Sequence, residues 1–308
     1  MNWINSFEIL CYLITAALLA DIIRKKSWGE FRLFLSAALA GFILELLAVR
    51  VTGIYHYSSE FYISIGVAPY QFPFFGGLMW GGLTVCALRT SQKLGFGKLM
   101  TAFVTGWLIV SMDILLDVAA IRLDGGFWVW EGREITLAVT HHMFMSVIWV
   151  NFLGYLFETP AVVYLTLRSW ETDNGSAGRK ILRTIGIGLA GVAIVGAASG
   201  LSLLLNRITD EWFACIAFVL LWSYILIRLI FRIVSRHRDY SLAGDKDWTL
   251  LVFWCAMYGY CLMSLWSLKI LQTVPWYGII AVLLAAGTLL LCVVNNRNAY
   301  GHANKTVL

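Results

Sequence analysis

Charged residues are scarce in this chain of 308 residues. Asp, Glu, Lys and Arg together make up 13% of the sequence, whereas 60% of it is hydrophobic. A soluble protein of this length needs far more charge to cover its surface, so the composition predicts a membrane protein. The net charge of +5 does not indicate nucleic-acid binding, because the basic residues lie mostly in the loops between the apolar segments.

The common signatures of metal and nucleotide chemistry are also missing. The six cysteines form no CxxC pair, and none lies near a histidine at metal-ligand spacing, so neither a disulfide framework nor a thiolate metal site is expected. The adjacent His141 and His142 would point in different directions on a helix, and no zinc or di-iron site is predicted. No GxxxxGK[ST], GxGxxG or GxSxG motif occurs. The lack of DDxxD argues against a prenyltransferase.

Nine apolar segments are long enough to cross a bilayer, which takes about 20 residues. The sequence therefore predicts an all-α polytopic bundle of about nine transmembrane helices. The third is the least regular, because Pro69 and Pro73 would bend or delay its start. The predicted spans are 6–23, 31–51, 68–88, 99–120, 142–167, 181–205, 211–234, 248–268 and 275–294.

The basic residues predict the orientation of these spans. Most of the 23 Lys and Arg residues fall in alternate connections, including Arg24, Lys25 and Lys26 after the first span. Basic loops stay in the cytoplasm, so we expect the N-terminus outside and the C-terminus inside. No Lys or Arg precedes the first apolar segment, which does not fit a cleavable signal peptide. A multi-pass protein of the cell membrane is predicted.

The chain changes character at a polar stretch, residues 171–180. Residues 1–170 hold spans 1–5, with acids inside the apolar segments and aromatic-rich outer loops. Residues 181–308 hold spans 6–9. Span 6 contains a Gly196-x-x-x-Gly200 pair, which lets helix backbones approach closely. Packing within the bundle is one use of that pair, and a homodimer interface is the other.

Three acids inside the predicted spans are the main candidates for chemistry. Acidic side chains at mid-membrane cost roughly 2.5–3.5 kcal/mol each, so they mark function by default. Asp113 and Asp117 lie one helical turn apart on one face of span 4, and Glu45 lies in span 2 at similar depth. Close carboxylates in an apolar site cannot all ionise, so one of them would keep its proton and could act as a general acid. The alternative is a structural acid paired with Arg50, Arg122 or a helix end.

Aromatic residues flank these acids on the predicted outer side. Tyr55 and Tyr57 follow span 2, Trp80 lies in span 3, and Trp128 and Trp130 follow span 4. Aromatic rings can stabilise a cationic intermediate by cation–π attraction. An interfacial aromatic belt would have the same composition without any substrate.

The order of motifs resembles a family of membrane carotenoid-biosynthesis proteins. That family includes the bacterial carotenoid 1,2-hydratases and the archaeal bisanhydrobacterioruberin hydratases. The resemblance covers about residues 41–157. It rests on Glu45, Gly53, Tyr55-His56-Tyr57, Pro69, Pro73, Trp80, Asp113-x-x-x-Asp117, Trp128-Val129-Trp130 and Asn151-Phe152-Leu153-Gly154-Tyr155. The family usually has Pro where Val118 stands and Trp where Tyr155 stands.

This resemblance implies cofactor-free hydration of a terminal isoprenoid double bond. A carboxylic acid protonates the alkene, a tertiary carbocation forms, and water adds to it. The implied substrate is a hydrophobic isoprenoid or carotenoid held in the bilayer. Asp113 or Asp117 is expected as the acid, the other aspartate with Glu45 as its partner, and Asn151 as the residue that positions water. Which aspartate donates the proton is left open.

Three other functions fit parts of the pattern. An intramembrane terpenoid cyclase would use the same proton-initiated chemistry without changing the substrate's mass. A proton-coupled carrier would use the acids as a relay and would place them at several depths. A scaffold within a lipid-synthesis complex would tolerate loss of both aspartates.

Overall fold

The computed structural model describes residues 2–53, 55–132, 134–172, 175–243 and 246–296. Helix dominates this described part, and its strands are only two or three residues long. The α-helices are α1 Trp3–Arg24, α2 Trp28–Leu47, α3 Phe74–Gln92, α4 Lys98–Ala120, α5 Trp149–Trp170, α6 Ala177–Ile208, α7 Trp212–Ser235, α8 Trp248–Ser267, α9 Ile270–Thr273 and α10 Pro275–Val293. The strands are β1 Tyr55–Tyr57, β2 Ser64–Ile65, β3 Phe72–Pro73, β4 Trp128–Trp130, β5 Met143–Phe144, β6 Val147–Ile148, β7 Tyr240–Ser241 and β8 Asn295–Asn296.

Eight of the described helices are long and apolar enough to cross a bilayer, namely all except α3 and α9. This confirms the predicted all-α polytopic bundle. The remaining predicted span, the third, corresponds to α3, which has 19 residues but is rich in glycine and ends in polar residues. Helix α3 nevertheless runs alongside α1. Phe75 packs on Phe7 with ring centroids 5.4 Å apart, and Arg89 pairs with Asp21 near the other end of α1.

Two predicted spans begin at the wrong residue. The third is predicted to start at residue 68, but α3 begins at Phe74, directly after the N-cap residue Pro73. The preceding residues form the β2–β3 pair. The fifth is predicted to start at residue 142, but α5 begins at Trp149, after the β5–β6 hairpin. Met145 and Ser146 at the turn of this hairpin have left-handed backbone angles, which a helix cannot contain.

Four helix ends that are predicted to face the cytoplasm meet around a buried arginine. Arg89 of α3 contacts Asp21 of α1 at 2.9 Å, Glu30 of α2 at 2.7 Å and Asp247, the N-cap of α8, at 3.2 Å. Lys25 also contacts Asp21, at 2.8 Å. A buried guanidinium needs such partners to offset the loss of water. The network therefore fixes the relative positions of α1, α2, α3 and α8.

At the opposite end, short strands cover the helices. Strand β1 pairs antiparallel with β4, in the register Tyr55 with Trp130 and Tyr57 with Trp128. The start of α1 joins this end, because the Trp3 amide donates to Asp124 at 2.5 Å. The β1–β4 pair lies at the ends of α2 and α4 that are remote from Arg89, and these two helices carry the predicted acids.

Helix α4 is the central helix of the described bundle. In its most apolar stretch 83% of the residues are buried, against 28% in α6 and 22% in α7. Helices α8 and α10 pack on the first half of the chain: the Tyr260 hydroxyl donates to the Trp3 carbonyl at 2.8 Å, and the Tyr277 hydroxyl to the Ile114 carbonyl at 3.0 Å. Acids on α4 are therefore removed from both water and lipid.

Some residues used to predict the topology and the linker lie outside the described residues. They are Arg133, Asp173, Asn174, Arg297 and Lys305.

Candidate active site

Helix α4 places two carboxyl groups in the middle of the protein. Asp113 and Asp117 are 4% and 1% exposed. Their spacing of four residues puts them on one face, and the two carboxyl groups interact with each other. Asp113 also interacts with Tyr155 of α5, and its Oδ2 atom has no hydrogen-bond partner among the described residues.

Glu45 approaches the same place from α2. It lies just before the helix widens into a π-helical turn, Ala48–Thr52. One carboxylate oxygen, Oε2, accepts hydrogen bonds from the Tyr55 hydroxyl at 2.5 Å and the Tyr57 hydroxyl at 2.8 Å. Both donors belong to β1, so the strand that follows α2 folds back onto the acid that α2 carries.

Burial keeps the two tyrosines as hydroxyl donors. Removal from water raises the pKa of Tyr55 and the pKa of Tyr57 well above the ordinary value of 10, and the nearby Glu45 carboxylate raises both further. Deprotonation of either phenol would place a second negative charge beside Glu45. Both tyrosines therefore remain protonated wherever the protein operates near neutral pH.

The pairing of β1 with β4 brings tryptophan rings over the acids. Tyr55 lies 5.0 Å from Trp130 between ring centroids, and Tyr57 lies 5.9 Å from Trp128. The Trp130 indole nitrogen is buried without a hydrogen-bond partner among the described residues. These rings present π faces and edges, rather than competing polar groups, above the carboxyl groups.

Helix α5 completes the polar part of the site. The Asn151 side-chain amide donates to Asp117 Oδ2 at 2.6 Å. One helical turn further on, the Tyr155 ring stacks on Trp80 of α3 at 4.8 Å between centroids. Trp80 fits there because Gly41 of α2 has no side chain: a Cβ at Gly41 would lie 2.3 Å from the Trp80 ring.

All of these groups surround one cavity of about 90 Å³. That volume is enough for several water molecules or for the end of an apolar chain. The nine residues that the sequence predicts for the site all line it: Glu45, Tyr55, Tyr57, Trp80, Asp113, Asp117, Trp128, Trp130 and Asn151. Their individual roles stay predictions.

The sequence-based prediction omits several apolar lining residues and one polar one. Phe72, Phe75 and Met79 enter from β3 and α3, Met257 from α8, and Tyr155 from α5. Tyr155 lies four residues after Asn151, so helical periodicity could have identified it. Met257 lies far along the chain in an apolar helix without any motif, and no local signal marks it.

The cavity has a one-sided charge distribution. Its described lining holds three carboxyl groups and no Lys, Arg or His side chain. Arg122, a possible partner in a structural reading of the acids, turns instead to the carbonyl oxygens of Val118, Thr136 and Met145. Such a lining favours a cation and disfavours an anionic ligand.

The two adjacent histidines lie elsewhere, and the prediction that they lie on a helix with their rings pointing apart is wrong. His141 and His142 precede the β5–β6 hairpin rather than lying on a helix, and their ring centroids are 3.8 Å apart. Together with Asp210 they offer ligand-type atoms within 4.8 Å of one another. His142 also contacts Glu211 at 3.0 Å, and this contact joins the segment before the β5–β6 hairpin to the N-cap of α7.

Comparison with known proteins identifies the family. The sequence profile of a family described as "Carotenoid biosynthesis protein" matches residues 6–224. The chain belongs to that family. The match extends beyond the 41–157 segment in both directions, and it crosses the polar stretch into α7. No curated protein and no solved structure matches the chain.

Membership of the carotenoid biosynthesis family and the eight membrane-type helices together describe a multi-pass membrane protein with a role in carotenoid biosynthesis. The family match includes every residue of the cavity except Met257. The cavity is therefore almost entirely built from the part of the chain that the family shares.

Proposed function

We propose that this carotenoid biosynthesis protein is a cell-membrane hydratase that adds water to a terminal isoprenoid double bond without a cofactor. The observation that carries the proposal is the convergence of Glu45, Asp113 and Asp117 on one cavity with aromatic walls. Carboxyl groups that crowd together away from water cannot all be ionised. A neutral carboxylic acid next to an apolar ligand is the group that protonation of an alkene requires.

Asp113 is the better placed proton donor. Its Oδ2 atom is not engaged by any described residue, whereas Asp117 Oδ2 accepts from Asn151. In the first step Asp113 donates its proton to the hydrogen-bearing carbon of the terminal double bond, and the π electrons of that bond form the new C–H bond. The positive charge develops on the neighbouring tertiary carbon, facing the remaining carboxylates and the rings.

Water completes the reaction. The oxygen of one water molecule attacks the tertiary cation and releases a proton to a second carboxylate, and transfer of that proton across the cavity to Asp113 restores the acid. Glu45, held by Tyr55 and Tyr57, is the carboxylate proposed to accept that proton, while Asn151 and Asp117 orient the water. The balance is one alkene plus one water to one tertiary alcohol.

Expression in a lycopene-producing bacterial host tests this proposal. Pigments are extracted, separated by polarity and weighed by mass spectrometry. We expect more polar pigments that are heavier by one water for each end that reacts. The double variant Asp113→Asn/Asp117→Asn, which keeps the side-chain sizes, should leave lycopene unchanged.

Two of the alternatives give different results in that experiment. A cyclase would yield a product of unchanged mass. A scaffold would show no dependence on Asp113 or Asp117. Three acids that converge on a single cavity fit an enzyme, whereas a carrier would show uptake that depends on a pH gradient.

A further inference from the structure

A second, larger opening adjoins the cavity on the side of α6. It is a groove of about 490 Å³ between α2, α5 and α6, and its lining is largely apolar. Val192 and Leu203 mark its extent along α6, which at the helical rise is about 16 Å. The groove is therefore elongated and lies along the direction of the membrane-spanning helices.

The groove and the cavity share walls. Glu45, Asn151 and Tyr155 line both, and so do Tyr55, Trp80 and Trp130. Glu45 therefore borders both the cavity and the groove, beside the stacked pair of Trp80 and Tyr155. A long molecule in the groove would place its end against the carboxyl groups.

A buried acid points to a bound ligand in the groove. Glu158 of α5 lines it and is 6% exposed, yet its Oε1 atom has no hydrogen-bond partner among the described residues. Glu158 lies two turns from Asn151 on the same face of α5. An acidic group among apolar side chains in a membrane costs roughly 2.5–3.5 kcal/mol, so its position marks the groove as a functional space rather than a plain lipid-facing surface.

The small residues of α6 leave room for that ligand. Gly196 and Gly200 line the groove, and a Cβ at either position would meet nothing within 4 Å. In a close helix contact within the bundle, as at Gly191, a Cβ would instead collide with a neighbour, here Val162 at 2.5 Å. Gly196 and Gly200 therefore widen the groove and do not serve a close helix contact within the described chain.

The geometry points to this groove as the binding site for the chain of an elongated isoprenoid, with the reactive end in the carboxylate cavity. The inference rests on the proposed function for the identity of the ligand. It adds where the rest of the substrate lies and how it reaches the acids from the bilayer, between α2, α5 and α6.

Pigment retention tests the groove without requiring turnover. The full-length protein is purified in detergent from lycopene-producing cells, and bound pigment per chain, meaning lycopene and its hydrated products counted together, is measured by absorbance. The groove variant is Gly196→Leu/Gly200→Leu. The matched control is Gly186→Leu, on the same helix, where a Cβ also meets nothing within 4 Å but the residue does not line the groove.

We expect the control to retain as much pigment as the wild type and the groove variant to retain roughly tenfold less, which is about 1.4 kcal/mol of binding free energy. Equal retention by all three proteins would overturn the inference. The inference would also fail if the groove variant lost phospholipid instead of lycopene, because lipid would then be what covers these glycines. It would fail as well if the groove variant changed from dimer to monomer but retained lycopene, because a second copy of the chain would then cover them. If the wild-type protein retains lycopene without hydrating it, the proposed reaction is refuted, but the inference that the groove binds the isoprenoid chain still stands.

Discussion

Replacing Tyr55 and Tyr57 by phenylalanine removes the two hydroxyl groups that hold Glu45, with little change in shape. Each hydroxyl donates to the same carboxylate oxygen, at 2.5 and 2.8 Å. A hydrogen bond to a charged group is worth about 1.5–3 kcal/mol, and one to a neutral group about 0.5–1.5 kcal/mol. In the proposed mechanism Glu45 is the ionised acceptor, so each single replacement should slow hydration by roughly 10- to 150-fold.

The assay is the rate of formation of the hydrated pigment in membranes that contain equal amounts of each variant. Tyr62→Phe is the matched control, because that side chain lies in the same loop but is 63% exposed. Since burial raises the pKa of Tyr55 and the pKa of Tyr57, both hydroxyls stay donors below pH of about 10, and the loss should not depend on pH in that range. Activity within about twofold of the wild type in both single variants and in the double variant would refute the role assigned to Glu45.

Three further changes probe other parts of the structure. Asn151→Ala removes the side-chain amide that donates to Asp117. It should lower the hydration rate by about tenfold or more, because a charge-assisted hydrogen bond is lost while the fold is kept. Product formation per amount of protein is measured. Gly41→Ala should lower both activity and thermal stability, by about 1–3 kcal/mol in unfolding, because a Cβ at 2.3 Å displaces Trp80; activity and detergent melting are measured together. Arg89→Met should destabilise the protein by about 3–5 kcal/mol, because it removes the buried guanidinium that Asp21, Glu30 and Asp247 share; the melting temperature in detergent reports it.

The Gly41 and Arg89 variants each have an internal control. Gly97→Ala adds a Cβ where nothing lies within 4 Å and should change nothing. Arg24→Met removes an exposed partner of Asp21, whose loss should cost about 0–1 kcal/mol. Similar melting of the Arg89 and Arg24 variants would contradict the structural importance of the buried network. Full activity of Gly41→Ala would contradict the need for Trp80 at its present position.

Much of the bundle follows from hydrophobic length alone. A stretch such as 99–120 contains no proline and no charge except two acids, and α4 spans Lys98–Ala120 as expected. The two wrong starts have local causes. Pro73 fixes the first residue of α3, and the hairpin turn at Met145 and Ser146 depends on left-handed backbone angles that hydropathy does not report.

The site can be predicted only in part from the sequence. The spacing of Asp113 and Asp117 predicts a shared face, and similar depth suggests that Glu45 could join them. The antiparallel β1–β4 pair could not be foreseen, because three-residue strands carry no usable periodicity. That pairing, rather than composition, decides which tyrosines and tryptophans among many reach the acids.

The isotopic composition of the product tests the central claim most directly. Purified protein is incubated with lycopene in water enriched in oxygen-18 and deuterium, and the pigment is analysed by mass spectrometry, with the Asp113→Asn variant alongside. The account predicts one oxygen-18 and one carbon-bound deuterium for each end that reacts in the wild type, and neither in the variant. A product without solvent oxygen, or an Asp113→Asn variant that forms the alcohol at the wild-type rate, would contradict proton transfer from this carboxylate cluster.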